Sequence, residues 1–127
     1  MRIAKTLFLF LYPACIAAVA FLSLMPNPDI GVDFRYMDKI EHFLAYLALG
    51  ALGTAFFIAL KRRPFPAAAA SVLAGFAVGT LVEFIQPITG RHFEVTDLAS
   101  NFAGAASGAF LIALAVRRAR GAVRDKA

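Results

Sequence analysis

Residues 38–46 read Asp38-Lys39-Ile40-Glu41-His42-Phe43-Leu44-Ala45-Tyr46 and open an apolar run that continues to about Leu60. A helix of ~20 residues spans ~30 Å, the hydrocarbon thickness of a bilayer. On such a helix Asp38, His42 and Tyr46 fall at i, i+4 and i+8 and form one slowly turning stripe. Asp38 followed by Glu41 also fits an acidic capping box, so Asp38 is either an N-cap or a site residue. Gly50 and Gly53 lie at mid-segment, where small residues let helices approach closely.

Three more apolar segments flank this one. The first covers about residues 6–25 and follows Arg2 and Lys5. Ala18-Val19-Ala20 resembles a signal-peptide cleavage site, but the apolar run continues past it to Met25, which favours a retained helix. Pro13 within it is tolerable in a membrane helix. Met25-Pro26-Asn27-Pro28 ends it, and a short loop with Asp29, Asp33 and Arg35 is expected at the membrane surface. The basic turn Lys61-Arg62-Arg63-Pro64-Phe65-Pro66 precedes a third segment, residues 67–86, rich in Ala and Gly and broken by Pro87, Thr89 and Gly90. The fourth covers residues 97–116, with Thr96 or Asp97 as its cap and Gly104 and Gly108 as a small-xxx-small packing pair. The basic tail, 117–127, is expected to be surface-bound or frayed. The predicted fold is an all-α integral membrane protein, one domain of four transmembrane helices.

Composition agrees. Of 127 residues, 61% are hydrophobic, above the roughly 50% of soluble domains. The net charge of +5 does not point to nucleic acid, because the cations flank apolar runs rather than form a soluble basic face. Ten of the thirteen basic residues fall in the N-terminus, the 61–63 turn and the tail. The positive-inside rule then predicts both termini in the cytoplasm, N-in and C-in. A single cysteine, Cys15, allows no intrachain disulfide. Tyr12-Pro13-Ala14-Cys15 is an imperfect lipoprotein box, with Tyr12 where an aliphatic residue usually stands.

Four helices with this topology bring three polar patches to one side. Asp38, His42, Glu83 and Asp97 are the candidates for acid and base roles, and Lys39, Tyr46, Gln86, Arg91 and Asn101 for binding. Glu83 is the most informative: a charge at membrane depth costs ~2.5–3.5 kcal/mol even on the mild insertion scale. It is expected to pair with Arg91 or Lys39, or to hold a proton. Each residue also has a plainer reading. Lys39 and Glu41 pair or snorkel at the interface, Asp97 caps its helix, Asn101 bridges helices, and Tyr46 lies deeper than an interfacial belt residue and needs a hydroxyl partner. Carboxylates, His and Asn are adequate metal ligands, but there is no HExxH, cysteine pair or repeated aspartate motif, and no metal is assigned. No nucleophile stands beside a His, no glycine-rich phosphate loop is present, and cofactor, reaction and oligomeric state stay open. Cations and proton-moving groups near a membrane surface suit a lipid headgroup or a lipid-linked precursor as partner.

The order Asp38-Lys39-x-x-His42-Phe43-x-x-Tyr46, then Glu83-x-x-Gln86, Arg91, and Asp97-x-x-x-Asn101-x-x-Gly104-x-x-x-Gly108 resembles the VanZ-like proteins. Ser23 and Pro26, and Thr96 before Asp97, fit the same pattern, which covers nearly the whole chain. The resemblance implies a small bacterial membrane protein of about four helices in the cytoplasmic (inner) membrane. The founding member is associated with resistance to the glycopeptide teicoplanin. What the resemblance implies for this chain is a role in the cell envelope, with a non-catalytic scaffold and a small transporter as the alternatives.

Overall fold

The computed structural model describes residues 2–26, 37–60 and 62–124, the side chains of 2–4 excepted. Asp29, Asp33 and Arg35 of the first loop, Lys61 and Lys126 lie outside the described residues. Four helices follow in order: α1 (Arg2–Leu24), α2 (Met37–Ala59), α3 (Pro64–Ile85) and α4 (Val95–Arg124), with a 3-10 turn at Gln86–Thr89 between the last two. Each is long and apolar enough to cross a membrane. Phe10, Phe21, Leu73, Phe84 and Phe110 are all more than half exposed on the bundle's outer face. Such a surface suits hydrocarbon rather than water.

Several helix ends differ from the sequence expectation, each for a local reason. α3 begins at Pro64, not at 67, and the Ala67 N–H donates to the Arg63 carbonyl at 2.9 Å. Proline is tolerated there because the first N–H groups of a helix need no intrahelical partner. The third helix ends in the 3-10 turn around Pro87, and Gly90, at φ 82, caps it in the left-handed conformation that glycine adopts freely. α4 begins at Val95, with Glu94 as the residue before it, so neither Thr96 nor Asp97 is its cap. α2 begins at Met37, which puts Asp38 inside the first turn instead of at the cap. α4 also continues through the tail to Arg124 instead of fraying at Val116. Its Ala- and Arg-rich last turns have high helix propensity, and the cations there complement the C-terminal dipole.

α4 lies against both α2 and α3, and α1 packs on α2 and α3. With no water to drive helices together, packing and interhelical hydrogen bonds must do so. The α2–α4 seam is built from glycine: a Cβ on Gly104 would collide with the Phe43 carbonyl, one on Gly108 with the Leu47 carbonyl, and one on Gly50 with the Ala105 backbone. α1 adds Tyr12 and Val19 to a buried cluster with Tyr46, Leu49 and Ala105, so it is an integral part of the bundle. The rings of Phe56 and Phe57 stand 5.1 and 6.1 Å from that of Tyr12.

The antiparallel course sorts the charges. Lys5, Arg62, Arg63 and Arg120 line one cleft at the end carrying the termini. Asp38, Lys39, Arg91, Glu94 and Asp97 gather at the other. Gly104→Ala and Gly108→Ala are therefore expected to destabilise the bundle by at least roughly 1–3 kcal/mol, the usual cost of overpacking. Gly121→Ala adds a Cβ that meets nothing within 4 Å and is expected to be neutral or slightly stabilising. Thermal unfolding in detergent compares them, and equal losses at 104 and 121 would sink the close-packing account.

Candidate functional site

The chain brings all nine predicted residues to one end of the bundle. Asp38, Lys39, His42 and Tyr46 descend the first turns of α2, Glu83 and Gln86 come from the end of α3 and its 3-10 turn, Arg91 from the connection, and Asp97 and Asn101 from the start of α4. His42, Tyr46, Glu83, Gln86, Asp97 and Asn101 are buried.

Two cation-centred groups hold the mouth. Lys39 Nζ reaches Asp97 Oδ1 at 2.6 Å and Glu94 Oε2 at 2.7 Å. Arg91 Nη2 donates to Asp38 Oδ1 at 2.9 Å, and its Nη1 donates to the Ser23 carbonyl at 3.3 Å. Gln86 Nε2 donates to the same carbonyl at 3.1 Å. Ser23 lies in the last turn of α1, whose carbonyls lack intrahelical partners and carry partial negative charge, so a cation and an amide suit it. These bonds tie α1 to the α3–α4 connection.

His42 sits beneath the mouth. Its Nδ1 lies 2.9 Å from Asn101 Oδ1. A carbonyl oxygen only accepts, so Nδ1 carries the hydrogen and donates. The other ring nitrogen, Nε2, faces Asp97 Oδ2 at 3.6 Å and Asp38 Oδ1 at 3.8 Å. Ligand atoms of Asp38, His42 and Asp97 all lie within 4.8 Å of one another, a grouping that can hold a metal ion. The sequence has no HExxH, cysteine pair or repeated aspartate motif to announce this grouping, which forms between the starts of two helices.

Glu83 does not form the expected ion pair with Arg91 or Lys39 among the described residues. Its Oε2 instead accepts the backbone N–H of Glu94 at 3.3 Å, and Oε1 has no hydrogen-bond partner among the described residues. Tyr46 Oη and Asn101 Nδ2 are likewise buried and unpartnered among the described residues. Both lie over Gly79, one turn before Glu83, where an added Cβ would come within 3.3 Å of either. The expected hydroxyl partner for Tyr46 is therefore not found among the described residues. The site has more hydrogen-bonding capacity than its own groups consume.

Glu94 was not among the predicted site residues, yet it holds the cluster together through Lys39 and Glu83. The Lys39 ammonium beside it keeps its carboxyl below the ordinary carboxylate range. Its one sequence signal is its place immediately before an apolar helix, three residues ahead of Asp97.

Asp38 and Arg91 line two clefts at once. One, of about 440 Å³, lies between α1 and α2 with Val19, Leu22 and His42 in its walls. The other, of about 240 Å³, opens at the end of the bundle beside Gly90, Glu94 and Asp97. A family model described as VanZ/LLP1 matches residues 7–116. The chain belongs to the VanZ/LLP1 family. No curated protein and no solved structure matches it. In this VanZ/LLP1 protein the matched region contains every member of the cluster.

Lys39 has one exposed and one buried partner, and removing them should differ. Glu94→Gln is expected to stay within about 1 kcal/mol of the native protein, as for an exposed pair. Asp97→Asn is expected to cost on the order of 2–3 kcal/mol, less than a fully broken buried pair because Lys39 keeps Glu94. Because Glu94 titrates low in the folded state, its contribution is present at neutral pH and is lost as pH falls through that depressed value. Unfolding in detergent from pH 7 downward should therefore show native protein and Glu94→Gln converging in acid.

Proposed function

We propose that this VanZ-like protein lies in the cytoplasmic (inner) membrane of a bacterium, N-in and C-in. Its acidic end faces outward, and there it binds or alters the headgroup of a membrane lipid or a lipid-linked precursor of the cell envelope. The orientation is supported by the cations gathered at the opposite end, where Arg62, Arg63, Arg117, Arg118 and Arg120 flank the turn and the last helix. An effect on susceptibility to glycopeptides such as teicoplanin is the cellular consequence this reading expects.

The observation that carries it is the double exposure of the Asp38–Arg91 pair. A lipid presents a polar headgroup to water and apolar chains to the bilayer. A cleft lined by Val19 and Leu22 together with Asp38, His42 and Arg91 matches the second boundary, and the cleft at the bundle end matches the first. Arg91 offers planar donors for a phosphate, while His42, Glu83 and Asp97 supply groups that give or take protons. The hydrogen-bonding capacity left over on Glu83, Tyr46 and Asn101 points the same way.

A second reading has its own support. Arg91 with Asp38, and Lys39 with Asp97, already form complementary pairs, as a scaffold or partner subunit would use to hold helices together. A transporter is less well supported, because two of the buried hydroxyls nearer the basic end are engaged in packing, while a third, Tyr12 Oη, has no partner among the described residues. Thr54 and Ser71 both donate to the Gly50 carbonyl, at 2.8 and 2.9 Å.

Lipid extraction and mass spectrometry on cells carrying the native protein, Glu83→Gln or Asp97→Asn at matched abundance test the leading reading. An envelope lipid or precursor is expected to change with the native protein and not with the variants. Lost stability without any lipid change would move the scaffold ahead. Variants indistinguishable from native in stability and lipid profile would remove the cluster from function altogether.

A further inference from the structure

We propose that Asp38, His42 and Asp97 form a binding site for one first-row divalent metal ion, Mn²⁺ or Zn²⁺. The inference does not require the lipid reading. It begins with the histidine. Asn101 Oδ1 holds the Nδ1–H of His42 at 2.9 Å, which leaves the Nε2 electron pair to point the other way. Metal-bound histidines are typically oriented like this, the second ring nitrogen donating to a fixed acceptor. His42 is 6% exposed, and Nε2 has no hydrogen-bond partner among the described residues.

What Nε2 faces is the second observation. Asp97 Oδ2 stands 3.6 Å from it and Asp38 Oδ1 stands 3.8 Å from it. A proton on Nε2 would draw one carboxylate to ~2.7–2.9 Å, the length of a charge-assisted bond. Instead the nitrogen is nearly equidistant from two carboxylates, outside hydrogen-bond reach of both. Ligand atoms around an ion at ~2.1 Å stand roughly 3.0–3.4 Å apart; the three here lie within 4.8 Å of one another, so rotamer-scale shifts of up to about an ångström close the site. Asp97 keeps this freedom, since Lys39 engages its other oxygen; Asp38 Oδ1 also accepts from Arg91 at 2.9 Å, so Asp38 would ligate by sharing that oxygen with Arg91 or by turning Oδ2 inward.

Charge is compatible with a cation. The two candidate carboxylate ligands, Asp38 and Asp97, sit with Glu94 against the two positive charges of Lys39 and Arg91, so the cluster carries no excess of positive charge to repel an ion. The mixed oxygen and imidazole donors favour Mn²⁺ or Zn²⁺ over Mg²⁺ or Ca²⁺, which prefer oxygen alone. Three protein ligands leave positions open, as in catalytic rather than structural sites. If the lipid reading also holds, the headgroup phosphate is the natural further ligand.

The test uses the full chain in detergent, purified without a polyhistidine tag, stripped by chelator and titrated with Mn²⁺ or Zn²⁺ alone. One saturable ion per chain is expected. His42→Ala and Asp97→Asn should weaken binding more than tenfold, while Cys15→Ser, which removes a metal-binding donor on α1 outside both clefts, stays within twofold. Spin-echo spectroscopy of the Mn²⁺-loaded native protein should show one coordinated imidazole nitrogen, a readout that needs no variant to fold. Absence of saturable binding overturns the proposal, as does binding without the nitrogen signal or binding that His42→Ala leaves unchanged. Since no lipid is added, a metal site can stand while the lipid profile stays flat, and the two readings fail separately.

Discussion

The closeness of α2 to α4 is the constraint on which the site depends. Gly104 lies against the carbonyl of Phe43, the residue after His42, and Gly108 against Leu47 one turn further on. Asn101 is one turn before Gly104 on α4. A seam with side chains in place of these glycines would push the helices apart and break the 2.9 Å contact between His42 and Asn101. Asp97, one turn above Asn101, would then move away from Lys39 as well. Backbone packing in the apolar half thus sets the geometry of the polar half.

Low polarity raises the importance of each polar pairing. A charge or an amide at bilayer depth has no water to fall back on, so its position is set by what it can reach. Arg91 shows the effect: one guanidinium satisfies both an Asp38 carboxylate and an end carbonyl of α1. Glu83 shows the exception, with one oxygen on the Glu94 backbone and the other unpartnered among the described residues. Where a buried group keeps unused capacity, a fold has given up some stability, and functional sites are where that commonly occurs.

The four helices were legible because the signal for a membrane span is local and strong, a long apolar run bounded by charge and proline. The ends were less so. Pro64 and Pro66 look like turn residues but sit comfortably in the first turn of α3, and the basic tail looks unstructured but has the propensity to extend α4. Asp38 and Asp97 look like caps in a linear reading, yet both lie within the first turn and spend their carboxylates across helices. Glu94 escaped notice because its contribution comes from its backbone N–H and from a lysine 55 residues away.

The number of spans, the gathering of acidic groups toward one end and basic groups toward the other, and the stripe of Asp38, His42 and Tyr46 are all written along the chain. Helical periodicity and the partition between lipid and water act within a segment, so a linear reading captures them. Which groups meet is settled by helix packing: Lys39 with Asp97 and Glu94 rather than Glu83, Arg91 with Asp38 and Ser23, and His42 between two aspartates with Nδ1 on Asn101. Those choices depend on the rotation of each helix about its axis and on the depth of its contact. A turn of one residue swings a side chain by about 100°, and no single segment contains the information that fixes it.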